Sequence, residues 1–97
     1  MKRKNTQSIG EILRDFFEDN TEMYEKILEI RVKRAWGDVL GPMVMNYTRN
    51  IYVRDRVLYV SLTSSVLRSE LTLCRERLVK SLNEYAKANV ITDLVIR

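Results

Sequence analysis

The sequence has no histidine, one cysteine (Cys74), one proline (Pro42) and three glycines among its 97 residues. Each scarcity closes a class of chemistry. Without histidine the usual general base at neutral pH is missing, and a structural zinc site lacks its common ligands. A lone thiol forms no internal disulfide, which suits a reducing compartment. Gly37 and Gly41 are spaced as Gly-x-x-x-Gly, with no third glycine and no Lys-Ser/Thr pair, so no phosphate-cradling loop is formed. The longest apolar stretch, Val39 to Met45, contains Gly41 and Pro42 and is far too short to cross a bilayer. The basic start Met1-Lys2-Arg3-Lys4 leads into no signal-peptide core, because Glu11, Arg14 and Asp15 interrupt the apolar residues. These exclusions predict a cytoplasmic protein that is not an enzyme, needs no metal or cofactor and has no membrane partner.

What is present fits one small soluble domain: 45% of residues are hydrophobic and 31% charged. A domain of this size has a folding free energy on the order of 5–10 kcal/mol. Charge is unevenly spread. Residues 5–48 carry a net −3, residues 49–97 a net +4, and the first four residues add +3. A basic C-terminal half suggests a polyanion-facing surface, and an acidic N-terminal half leaves room for a second surface facing a protein. Residues 1–7 read as a flexible basic tail and residues 8–97 as a single domain.

Hydrophobic periodicity sets the elements. Ser8 and Glu11 form a capping box for a short helix whose apolar positions are Ile9, Ile12, Leu13, Phe16 and Phe17. Asp19 or Asn20 can cap a second helix, from about Glu22 to Trp36, with Tyr24, Leu28, Val32 and Trp36 in one row and Ile27 and Ala35 alongside. A short turn or helical piece follows, from Asp38 to Met45. The period then becomes two. Pairing about Asp55-Arg56 sets Val53 against Leu58 and Ile51 against Val60 on the buried face, and Tyr52 against Tyr59 on the other. Asp-Arg is a poor pair for a type I′ turn, because arginine resists positive φ, so a four-residue loop from Arg54 to Val57 is the alternative in the same register. Ser64 or Ser65 caps one long helix, about Val66 to Lys87, with the stripe Leu67, Leu71, Cys74, Leu78, Leu82 and Tyr85. Val90 to Ile96 reads as a last strand. The predicted fold is α+β: two N-terminal helices and one long helix on one face of a three-stranded sheet, in the order α-α-(short turn)-β-β-α-β.

The candidate binding residues follow from that layout. Tyr52 and Tyr59 with Arg54 on the outer sheet face combine flat rings for bases with charge for phosphates; a cross-strand tyrosine pair, or packing under a second copy, would explain the rings equally well. Arg49 and Arg56 also belong to the hairpin. On a straight helix at about 100° per residue, Arg68 and Arg75 share one flank of the apolar stripe, while Arg77 lies opposite with Glu70 and Glu84. Arg31, Lys33 and Arg34 end the second helix, where the dipole favours cations. Trp36 is either a core plug or, with Arg34, an anchor for a partner. Cys74 and the carboxylates, in pairs such as Glu76–Lys80, read as core and solvated face.

Arg34-Ala35-Trp36-Gly37-Asp38-Val39-Leu40-Gly41 resembles the Ala-Trp-x-x-Val-hydrophobic-Gly signature of the DciA family, bacterial proteins that act on the replicative helicase. Asp55 to Leu71 resembles that family's turn, its "L-x-V-x-hydrophobic-x-S-S" strand and its helix start with Glu-Leu, and Ile91 to Arg97 is similar to its last strand. Arg56 stands where the family usually has glycine, and Val66-Leu67 replace a frequent Trp-Ala. The resemblance implies a KH-like domain, although a Gly-x-x-Gly loop is lacking. It further implies a non-catalytic replication accessory that binds the replicative DNA helicase, assists its loading and binds DNA. A protein-only interaction module such as a homodimer, or an RNA-binding protein without a helicase role, are the alternatives.

Overall fold

The structure is a computed structural model and describes residues 11–12, 14–16 and 18–97. The described residues from 11 to 18 are helical, with Ile12 and Phe16 exposed. The tail of residues 1–7, the Ser8 cap and the apolar positions Ile9, Leu13 and Phe17 lie outside the described residues.

Helix α1 spans Thr21–Leu40 and runs four residues past Trp36, where its apolar row ends. Asn20 precedes it but its side chain does not cap it; the amide donates instead to the Phe16 carbonyl, 2.8 Å away. Gly37 does not stop the helix. A Cβ there would sit 2.9 Å from Met45 Cγ, so glycine lets α2, Pro42–Asn46, fold back closely against α1. The stop falls at Gly41, whose φ of +93° is costly for any other residue.

Strands β1, Thr48–Arg54, and β2, Val57–Leu62, form the hairpin in the expected register, with Ile51 opposite Val60, Tyr52 opposite Tyr59 and Val53 opposite Leu58. The turn is the tight two-residue form that Arg56 was expected to oppose. Asp55 and Arg56 both have positive φ, 53° and 64°. Left-handed arginine costs roughly 1 kcal/mol, and contacts made by Arg56 itself offset that cost. Its Nη2 donates to the Asn89 carbonyl at 2.7 Å, and its own carbonyl accepts from the Thr92 amide at 2.7 Å.

The long helix of the sequence reading is two helices, α3 (Ser65–Leu73) and α4 (Arg75–Ala86), broken at Cys74. Ser64 caps α3, accepting from the Leu67 amide. The break lets α3 lie on β2 and β3 while α4 turns against α1 and β3. Leu78, Leu82 and Ala86 are buried on α4; Tyr85, assigned to the apolar stripe, is 46% exposed. Strand β3 is only Asp93–Ile96. Val90 and Ile91 leave the sheet because the Asn83 side chain accepts from both their amides and donates to the Ile91 carbonyl.

The sheet order is β1-β2-β3, with β1 and β2 antiparallel and β2 and β3 parallel. The inner face carries Leu58, Val60, Leu62 and Leu94 against Val32, Ala35, Trp36, Leu78 and Leu82. The chain is thus an α+β domain with helices packed on a mixed three-stranded sheet.

Candidate nucleic-acid interface

Alternation along the strands leaves Tyr52 on β1, Tyr59 and Ser61 on β2 and Val95 on β3 on the face away from the helices, all but Ser61 in one cross-strand row. Tyr52 and Tyr59 are half-buried, and no helix is needed to explain it, because they cover each other. Their centroids are 4.9 Å apart and their planes 11° from parallel, so the rings stack. Each turns a face to its neighbour instead of lying flat on the sheet as a platform. The face of Tyr52 turned away from Tyr59 lies toward the free edge of β1.

A residue missed in the sequence completes this group. The backbone of Arg97 continues the β3 ladder, donating to the Val60 carbonyl and accepting from the Leu62 amide. Its guanidinium carbon lies 5.1 Å from the Tyr59 ring centroid, and Nη2 donates to the Tyr52 hydroxyl at 2.6 Å. One cation is thereby fixed onto the ring pair by a cation–π contact and a hydrogen bond. The alternation of β3 puts residue 97 on the face of Val95, but only the parallel pairing with β2 brings it beside Tyr59.

The other candidates divide. Arg54 and Arg49 are exposed on β1, Arg49 at a bulge where the register slips, and their guanidinium groups have no hydrogen-bond or ion-pair partner among the described residues. Both lie on the same edge strand as Tyr52, Arg54 two residues beyond it. Arg56 is tied to the segment before β3. The straight-helix placement of Arg68 and Arg75 on one flank fails, because the helix breaks between them. Arg68 is half-buried and donates to the Leu62 carbonyl at 3.2 Å. Arg75 Nε pairs with Asp93 Oδ1 at 3.4 Å, with both side chains about half exposed (49% and 50%).

Trp36 is no surface anchor. It is entirely buried, and its Nε1 donates to Thr48 Oγ1 at 3.1 Å, while that hydroxyl donates to the Val44 carbonyl at 2.8 Å. The ring therefore joins α1, α2 and β1 from within. Arg34 remains exposed, near the pair in which Tyr85 donates its phenol proton to Asp38. That hydrogen bond to a carboxylate raises the Tyr85 pKa, with Arg34 pulling the other way. Arg31, in the same basic cluster, donates to the Ala86 carbonyl at the end of α4.

Among the described residues no group of three or more His, Cys, Asp or Glu is placed to hold a metal ion, and no helix is long and apolar enough to cross a membrane. The group around Tyr52 and Tyr59 offers stacked rings and cationic side chains. The model of one protein family, described as Dna[CI] antecedent, DciA, matches residues 8–96. No curated protein matches the chain.

Proposed function

The chain belongs to the DciA family, and from that premise we propose that it is a non-catalytic cytoplasmic protein that binds the replicative helicase, assists its loading and holds single-stranded DNA on its outer sheet face. Membership implies a helicase-loading accessory role in DNA replication. The strand order, with a parallel β2–β3 pair joined by helices, supports the KH-like reading of the domain.

The observation that carries the DNA part is the Tyr52–Tyr59 stack with Arg97 bound to it. A base extends the stack on the face of Tyr52 turned away from Tyr59, worth about 1–3 kcal/mol per stacked base, while Arg49, Arg54 and Arg97 meet the phosphates. Such a site reads no sequence, as a factor acting on exposed strands requires. Nothing in the group selects DNA over RNA through a 2′-hydroxyl, so oligo(dT) and oligo(U) should bind within a few-fold of each other.

Helicase capture tests the role. With this chain as bait, the replicative helicase should co-purify and stay bound after nuclease treatment. Helicase released by nuclease would overturn direct contact, and helicase absent from both arms would overturn the helicase role.

A further inference from the structure

Resting on that reading, we propose that the groove between the first half of α1 and the tip of the β1–β2 hairpin is a protein-docking site for a cationic peptide segment bearing apolar side chains. The groove has a volume of about 650 Å³. Its floor is Leu28, Val53 and Val90, an outward continuation of the core. Its rim is acidic. Glu25 and Glu29 stand one turn apart on α1, and Asp55 faces them from the hairpin tip.

Charge complementarity selects the occupant. None of these three carboxylates has an ion-pair partner within 4.0 Å among the described residues. Among the described residues lining the groove the one cation is Arg56, whose guanidinium keeps its charge but is turned to the carbonyls of Asn89 and Val90. On a protein of net charge +4, three carboxylates against one guanidinium leave the described lining of the groove net negative. Nucleic acid is repelled from it, and a purely apolar ligand would bring the carboxylates toward a drier setting without compensation. A peptide that lays Leu- or Met-sized side chains on the floor and Lys or Arg against the rim satisfies both features. The hairpin tip is pinned by Arg56, so docking requires little ordering. The groove lies at the opposite end of β1 from Arg49, with Arg54 at the hairpin end beside it.

Fluorescence anisotropy with a labelled 15-residue amphipathic Lys/Leu peptide tests the groove. The peptide should bind saturably, its Glu/Leu counterpart should not, and Glu25→Lys/Glu29→Lys should weaken binding at least about tenfold. Glu70→Lys/Glu76→Lys makes the same change in net charge elsewhere on the surface and should leave binding within about twofold. Equal weakening by the two double variants, or no saturable binding to the wild type, overturns the proposal. In the nuclease-treated helicase capture, Glu25→Lys/Glu29→Lys should lose the helicase and Tyr52→Ala/Tyr59→Ala should keep it. A groove variant that still captures helicase also overturns the proposal. A wild type that captures none overturns the proposed function instead, and the peptide titration then decides the groove by itself.

Discussion

Arg97 donates a 2.6 Å hydrogen bond to the hydroxyl of Tyr52, across a sheet in which the two residues lie on opposite edge strands. The contact converts a cross-strand tyrosine pair, worth up to about 1 kcal/mol to the sheet, into a charged aromatic group. Arg97→Ala should reduce the steepness of the salt dependence of single-strand binding by about one unit, as loss of one phosphate contact does. A titration of labelled oligo(dT) at several salt concentrations reads this directly. An unchanged slope would show that Arg97 serves the ring pair alone.

Arg75 is held back by Asp93 at the β3 edge. The pair is half exposed, so Asp93→Asn should cost no more than about 1 kcal/mol in urea unfolding. The same change frees a guanidinium and removes a repelling charge, so affinity for oligo(dT) should rise, by about twofold to fivefold at low salt. A fall in affinity would mean that Arg75 needs its partner to be positioned.

Arg56 occupies a left-handed turn position while bonding the segment ahead of β3. Replacing it separates these two effects. Arg56→Gly removes the strain together with the side-chain bonds and should leave stability within about 0.5 kcal/mol. Arg56→Ala keeps the strain and loses the bonds, and should cost about 1–2 kcal/mol. Thermal or urea unfolding that ranks Ala equal to Gly would remove the reason offered for arginine in a turn that favours glycine.

The hairpin was legible because its period of two and a single turn fix the partners: a slip of one residue would turn Ile51, Val53, Leu58 and Val60 outward. The row Leu28, Val32, Trp36 was legible for the same kind of reason on α1. The break at Cys74 was not. No glycine or proline marks it, and the apolar spacing runs through it unbroken; the bend arises because Leu67 and Leu71 seek the sheet while Leu78 and Leu82 seek α1 as well. With that bend went the shared flank of Arg68 and Arg75. The contraction of the last strand was hidden for a related reason, since the Asn83 side chain, not the local sequence, draws Val90 and Ile91 out of the ladder. Arg97 was missed because its position beside Tyr59 depends on strand order.

Trp36 anchors stability, not binding. Trp36→Ala should cost about 3–5 kcal/mol, a large share of the stability of so small a domain. Thr48→Val is the finer probe: it leaves the indole N–H buried without an acceptor and should cost about 1–3 kcal/mol with the fold unchanged by circular dichroism. If Thr48→Val proves neutral, the link between Trp36 and Thr48 is not what holds α1 to β1.

The most direct test of the outer sheet face is the affinity of Tyr52→Ala/Tyr59→Ala for labelled oligo(dT), measured beside the wild type from low to moderate salt, with folding verified by circular dichroism. Wild-type binding should weaken linearly on logarithmic axes as salt rises, and the double variant should bind at least about tenfold more weakly with a similar slope, because stacking is lost while the phosphate contacts remain. Equal affinity of the two proteins, or no binding by either at the lowest salt, would contradict it.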